Sequence, residues 1–202
     1  MIKKVITCCF IGHRKINKDF ETETKLKGLI FGLIEQGVTQ FLFGDHSEFN
    51  DLCYEIVTKL KKANPNIRRI HFRTNYPEAD EYTKGLLTMG YEESVFASEI
   101  ALSGKAVYVE RNRAMIKASD VCVFYCNKSE FVSSKSSKRK SGTKLAYDYA
   151  VSHNKKIYNL YEGICMIKKK LLEIVPESKK YIAENVLFQW LGMCCNIVMV
   201  FT

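Results

Sequence analysis

Short dense apolar runs alternate along this chain with longer amphipathic stretches. Lys4 to Ile11 is a nearly continuous β-prone run, which suits a strand covered on both faces in a parallel sheet. Gly12-His13-Arg14 ends it. Glu21 to Gln36 then carries Leu26, Leu29, Ile30, Leu33 and Ile34 at helical spacing, and Gly37 is a stop signal. Thr39 to Phe43 predicts a second strand, closed by Gly44. Leu52, Ile56, Val57 and Leu60 form another helical stripe. Arg68 to Phe72 predicts a third strand, with charged residues interleaved as at a sheet edge. Residues 77–104 show no readable period. Lys105 to Val109 predicts a short strand, and a helix starts over residues 110–116 and ends near Ser119. Val121 to Tyr125 reads as a buried central strand. Leu145, Ala146, Tyr149 and Ala150 mark a helix, and Lys155 to Leu160 a last strand. The alternation predicts an α/β, Rossmann-like, doubly wound and mainly parallel sheet with helices on both faces.

The pattern changes after Glu162. Met166 to Val175 and Ser178 to Trp190 read as helices, and Cys194 to Phe201 as a terminal strand or an apolar tail. The expected organisation is a nucleotide-binding domain over residues 1–162 and a C-terminal appendage over 163–202. That appendage is expected to pack on the domain or on a partner chain, so a homodimer is one expected state. The run from Val186 to Phe201 is interrupted by Gln189 and Asn196 and falls short of the ~20 residues needed to span a bilayer. No membrane partner is expected.

Charge and cysteine content narrow the function classes. A formal net charge of +9 over 202 residues favours an anionic partner, whether nucleotide, nucleic acid or acidic surface. The eight cysteines lie mostly in apolar runs and form no C-x-x-C pair or zinc spacing. Met1-Ile2-Lys3-Lys4 leads into a strand-like run, not into a secretory hydrophobic segment. The expectation is a cytoplasmic protein with reduced, buried thiols and no metal site.

The chemistry gathers at three turns. Ser141-Gly142-Thr143 follows the Val121–Tyr125 strand and opens a helix. Gly142 permits close backbone approach, Ser141 or Thr143 can cap the helix or bond an oxygen, and the helix N-terminus adds roughly half a positive charge. The same three residues also fit an ordinary N-cap. Gly12, His13 and Arg14 sit at the C-terminal edge of the first strand, where open α/β sheets bind ligands. Arg14 is either a phosphate fork or a solvated loop residue. The turn after Gly44 is acidic. Asp45 or Asp51 suits a ribose hydroxyl, while Asn50 or Asp51 equally suits an N-cap; Asp45, His46 and Glu48 are a weak metal set. Arg111 and Arg113, at i and i+2, cannot share one helix face. One is expected to point to the sheet edge while the other pairs with Glu110 or another acid. Tyr76, Tyr82 and Tyr91 fit base stacking or core packing, and the basic stretch 126–140 fits either an anion-closing loop or a solvated insertion.

Five motifs in this order resemble a bacterial family of unknown function. They are Cys8-Cys9-Phe10-Ile11-Gly12-His13-Arg14, Phe41 to Gly44 with Asp51, Glu110 to Met115, Ser119-Asp120, and Ser141-Gly142-Thr143. The family belongs to the SLOG superfamily, which joins the DNA-processing protein DprA to the LOG (Lonely Guy) phosphoribohydrolases. The resemblance spans about residues 5 to 160. It implies a nucleotide-type ligand at the strand ends, held by the Gly-His-Arg turn, the Arg-Asn-Arg segment and the Ser-Gly-Thr turn. LOG enzymes carry Gly-Gly-x-Gly-Thr-x-x-Glu, and the position of that glutamate is Ala146 here. A methyl group can neither activate water nor stabilise an oxocarbenium-like centre.

The expected function is therefore nucleotide binding or sensing, with no further cofactor. Phosphate would be held by Arg14, Arg111, Arg113, Ser141, Gly142 and Thr143, beside Gly12, His13, Gly44 and Asp51. A nucleoside monophosphate N-glycosidase using Glu110 or Asp148 is one alternative. DprA-like single-stranded DNA binding through the basic loop is another.

Overall fold

The computed structural model describes residues 5–45, 47–74, 90–96, 106–128 and 141–161. His46, Tyr76, Tyr82, the basic stretch from 129 to 140 and the appendage from 163 to 202 lie outside the described residues. The chain divides into two units, Met1–Tyr161 and Glu162–Thr202.

In chain order the elements are β1 (Ile6–Gly12), α1 (Phe20–Glu35), β2 (Val38–Phe43), α2 (Glu48–Lys61), β3 (Arg68–Arg73), β4 (Glu93–Phe96), α3 (Ala106–Lys117), β5 (Val121–Tyr125), α4 (Gly142–Ser152) and β6 (Lys156–Asn159). The six strands form one sheet in the order β4-β3-β2-β1-β5-β6, and every neighbouring pair is parallel. This is the expected α/β, Rossmann-like architecture.

Alternation along each strand sends side chains to two cores. Cys9, Ile11, Leu42, Ile70, Phe72, Cys122 and Phe124 share one cluster with Met115 and Ile116 of α3 and Ala146 and Ala150 of α4. The opposite face is aromatic. The Phe10 ring lies 5.8 Å from Phe41, 5.3 Å from Phe43 and 6.5 Å from Phe49 of α2. All four rings are fully buried, each contributing about 1.5–3 kcal/mol of transfer free energy. Cys8, Cys9, Cys53, Cys122 and Cys126 are buried free thiols. Burial raises the pKa of Cys8 and Cys53.

Local signals set the helix ends. Asp19 caps α1 by accepting from Thr22 N at 2.8 Å, and Gly37, at φ 91°, closes it in the left-handed conformation that glycine adopts freely. The cap of α2 is Ser47, which accepts from Asn50 N at 3.2 Å, and not Asn50 or Asp51 as the sequence suggested. A larger correction concerns the expected strand at residues 105–109: Ala106 to Val109 form the first turn of α3. A short run such as Val107-Tyr108-Val109 fits either structure by pattern. Burial of Arg111, Met115 and Ile116 on one side decides for a helix. β4 falls in the stretch with no readable period. Arg69 holds its start, through paired contacts with Glu92 at 2.7 and 3.2 Å. Among the described residues, no helix is long and apolar enough to cross a membrane.

Candidate functional site

The strand order reverses at β1. From β1 the chain steps outward through β2 and β3 to β4, then returns to β5 on the other side of β1. At such a reversal open α/β sheets place a ligand crevice outside the carboxyl ends of the strands, which here are those of β1 and β5.

Five hydrogen bonds tie the rim of that crevice together. His13 N donates to the Tyr125 carbonyl at 3.2 Å, and His13 Nε2 accepts from Asn127 N at 3.1 Å. That second bond leaves the proton of a neutral His13 ring on Nδ1. The Thr143 hydroxyl donates to the Gly12 carbonyl at 3.3 Å, which brings the start of α4 against the end of β1. Asn159, at the end of β6, brackets Cys126 by donating to its carbonyl at 3.0 Å and accepting from its N–H at 3.2 Å.

The N-termini of α2 and α4 differ in what satisfies them. Glu48 N donates to the Arg14 carbonyl at 2.9 Å, and the Glu48 carboxylate accepts from Ile16 N at 2.9 Å. The β1 loop thus fills the start of α2 and is clamped there. At α4 the Ser141 hydroxyl accepts from Lys144 N at 3.1 Å. No acceptor among the described residues meets the Gly142 and Thr143 N–H groups. A Cβ built at Gly142 would meet nothing within 4 Å. Arg14 is exposed on the clamped β1 loop.

Other residues singled out in the sequence serve elsewhere. Gly12 is small because of Phe49: a Cβ there would lie 2.5 Å from the ring. Gly44 gives its space to the Arg111 guanidinium, whose Cζ would sit 2.9 Å from a Cβ. Arg111 is buried and pairs with Asp45 at 2.5 Å. Burial lowers the Arg111 pKa, and the Asp45 charge opposes that shift. Asp45 also meets His71 Nε2 at 3.7 Å and the Thr74 hydroxyl at 3.4 Å. Burial opposes ionisation of Asp45, yet the neighbouring His71 and the Arg111 charge outweigh it and hold the carboxyl below its ordinary range. His71 stacks on Tyr91 at 4.8 Å, and burial pushes the Tyr91 phenol up to about 12. Tyr91 is thus packed in place. Asp51 sits in the first turn of α2.

Arg113 leaves the rim altogether. It pairs with Glu110 at 2.7 Å, and its guanidinium lies 5.5 Å over the Tyr149 ring. Tyr149 is about two helical turns beyond Gly142, or roughly 10 Å. The pair at i and i+2 diverges as expected, but neither arginine reaches the start of α4. Asp148 pairs with Lys144 at 3.0 Å on an exposed surface. Ala146 is 2 % exposed and belongs to the apolar cluster under α4. Asp45 and Glu48 turn to separate partners, and among the described residues no group of three or more His, Cys, Asp and Glu could hold a metal ion.

The rim thus gathers His13, Ser141, Gly142 and Thr143, with Gly12 beneath them and Arg14 exposed on the loop that follows β1. Gly44 and Arg111 form a separate buried network around Asp45. Glu110 and Arg113 pair with each other, and Asp148 with Lys144. Two contributors escaped the sequence reading. Asn159 ends a short strand with no distinguishing pattern, and Glu48 read as a turn acid and a member of a weak metal set, not as the clamp of the β1 loop. Ser119 and Asp120 act at the opposite edge of the sheet: Thr7 N donates to the Asp120 carboxylate at 3.0 Å, and Lys155 Nζ to the Ser119 carbonyl at 2.6 Å. No protein-family model matches the chain, and a search of curated proteins finds no match either.

Proposed function

We propose that the protein binds a nucleotide or nucleotide derivative at the β1–β5 crevice, as the SLOG-like resemblance implies, with a phosphate at the start of α4. The observation that carries this reading is the N-terminus of α4, whose first two amides meet no acceptor among the described residues and which Thr143 ties to the end of β1. Its Gly142 and Thr143 amides and helix dipole favour an anion. Arg14 supplies the full positive charge at the same edge. The start of α2 is already occupied by the Arg14 carbonyl, which leaves α4 as the anion-holding end of the pair.

Hydrolysis is not part of this proposal. Ala146 has no proton to give or take and lies in the core, while Glu110 and Asp148 are each held by a cation. The experiment is a thermal-shift panel of nucleoside mono- and diphosphates, ADP-ribose, NAD and cyclic nucleotides. At least one ligand is expected to raise Tm in the wild type and far less in Arg14→Ala. A panel without a stabilising ligand, or one that responds only to single-stranded DNA with steep salt dependence, contradicts it.

A further inference from the structure

We propose that the outer face of α1 is a contact surface for a second copy of this chain, related by a twofold axis beside Phe31. The inner stripe of α1 is Thr22, Leu26, Ile30 and Leu33, all buried. The opposite stripe carries Phe20, 62 % exposed, and Phe31, 47 % exposed. Residues eleven apart on a helix point within about 20° of one another. The two rings therefore mark one face. Gly28 and Gly32 lie between and beside them, and a Cβ at either would meet nothing within 4 Å. Glycine inside a helix is destabilising relative to alanine. Nothing among the described residues needs that space, whereas a second helix backbone could approach through it.

Charge selects the occupant. Lys27 lies four residues before Phe31 and Glu35 four residues after, both exposed. Neither has an ion-pair partner among the described residues. Under a twofold axis at Phe31 the two α1 helices run antiparallel. Lys27 then lies level with the partner's Glu35, each about 6 Å along the helix from the axis, and the reciprocal pair follows by symmetry. Opposite charges placed symmetrically about an exposed aromatic residue make the face complementary to itself, as an isologous interface requires.

The test is sedimentation velocity on the full chain from about 1 to 100 µM, a range that spans typical weak homodimers. The wild type is expected to dimerise. Lys27→Glu and Glu35→Lys are each expected to raise the dissociation constant about ten-fold, and the double variant to return within about three-fold of wild type. Phe31→Glu is expected to stay monomeric across the range with unchanged circular dichroism and Tm. A wild type that is monomeric throughout overturns the proposal, as does a dimer indifferent to Phe31 or to the charge exchange. A monomer that loses Tm on Phe31→Glu shows the face covered by the chain's own residues and overturns it too.

Discussion

The Thr143 hydroxyl donates to the Gly12 carbonyl at 3.3 Å, joining residues 131 apart in sequence. This contact sets the N-terminus of α4 beside the loop that carries Arg14. It also uses the hydroxyl, so Thr143 positions the rim through its side chain and, in the proposed function, has its amide left for an anion. Thr143→Val is expected to weaken nucleotide binding about ten-fold while lowering stability by only about 1 kcal/mol, the worth of one hydrogen bond. Calorimetric titration and urea melts check both. Unchanged binding would mean that the contact has no part in the site.

Gly12 and Gly142 are expected to respond in opposite ways to alanine. At Gly12 the new Cβ meets the buried Phe49 ring at 2.5 Å, so overpacking should cost about 2–3 kcal/mol. At Gly142 the Cβ meets open space, and stability should stay within about 0.5 kcal/mol of wild type or improve. Binding should nevertheless fall, because the methyl group occupies the approach to the amides. A stable Gly142→Ala variant with intact binding would refute the use of this turn.

The Arg111–Asp45 pair predicts a pH dependence. Asp45 is held below its ordinary pKa in the folded chain. The stability it contributes is therefore present above its unfolded value of roughly 3.9 and is lost as pH falls through the folded value. Arg111→Met should cost about 2 kcal/mol at neutral pH, at the low end because the Asp45 carboxylate is 32 % exposed. Its acid unfolding midpoint should move to higher pH. Urea melts between pH 3 and 7 check this, and nucleotide affinity should change little. A wild-type acid midpoint in the variant would contradict the assignment.

Restoring the glutamate of the LOG pattern should fail. Ala146 packs among Ile11, Phe124 and Cys126, so Ala146→Glu buries a carboxyl in an apolar cluster. The expected cost is at least about 3 kcal/mol, with no free base released from any nucleoside monophosphate. A folded variant that releases base would show that this helix face reaches the crevice.

These residues also show what could be read without coordinates. Dense runs such as Val121–Tyr125 and stripes such as Leu26–Ile30–Leu33 carry their burial in their period, so the doubly wound sheet was legible. Ala106 to Val109 was not, because the β-prone Val107, Tyr108 and Val109 fit either state until Arg111, Met115 and Ile116 are seen to be buried on one side of the same helix. The glycines misled for a related reason. A glycine announces close approach but not what approaches: Phe49 at Gly12 and Arg111 at Gly44 are protein groups, whereas a Cβ at Gly142 would meet open space. Arg111 and Arg113 announced charge but not its partner, since Asp45 lies 66 residues before Arg111.

The central claim is that the α4 N-terminus and the Arg14 loop grip one phosphate. Amide chemical-shift mapping during titration with the nucleotide that stabilises the protein most tests it directly. The account predicts concerted shifts at His13, Arg14, Gly142 and Thr143, lost in Arg14→Ala and kept in Arg113→Ala. Shifts centred on Asp45 and Arg111, or on Arg113 and Tyr149, with Gly142 silent, would contradict it.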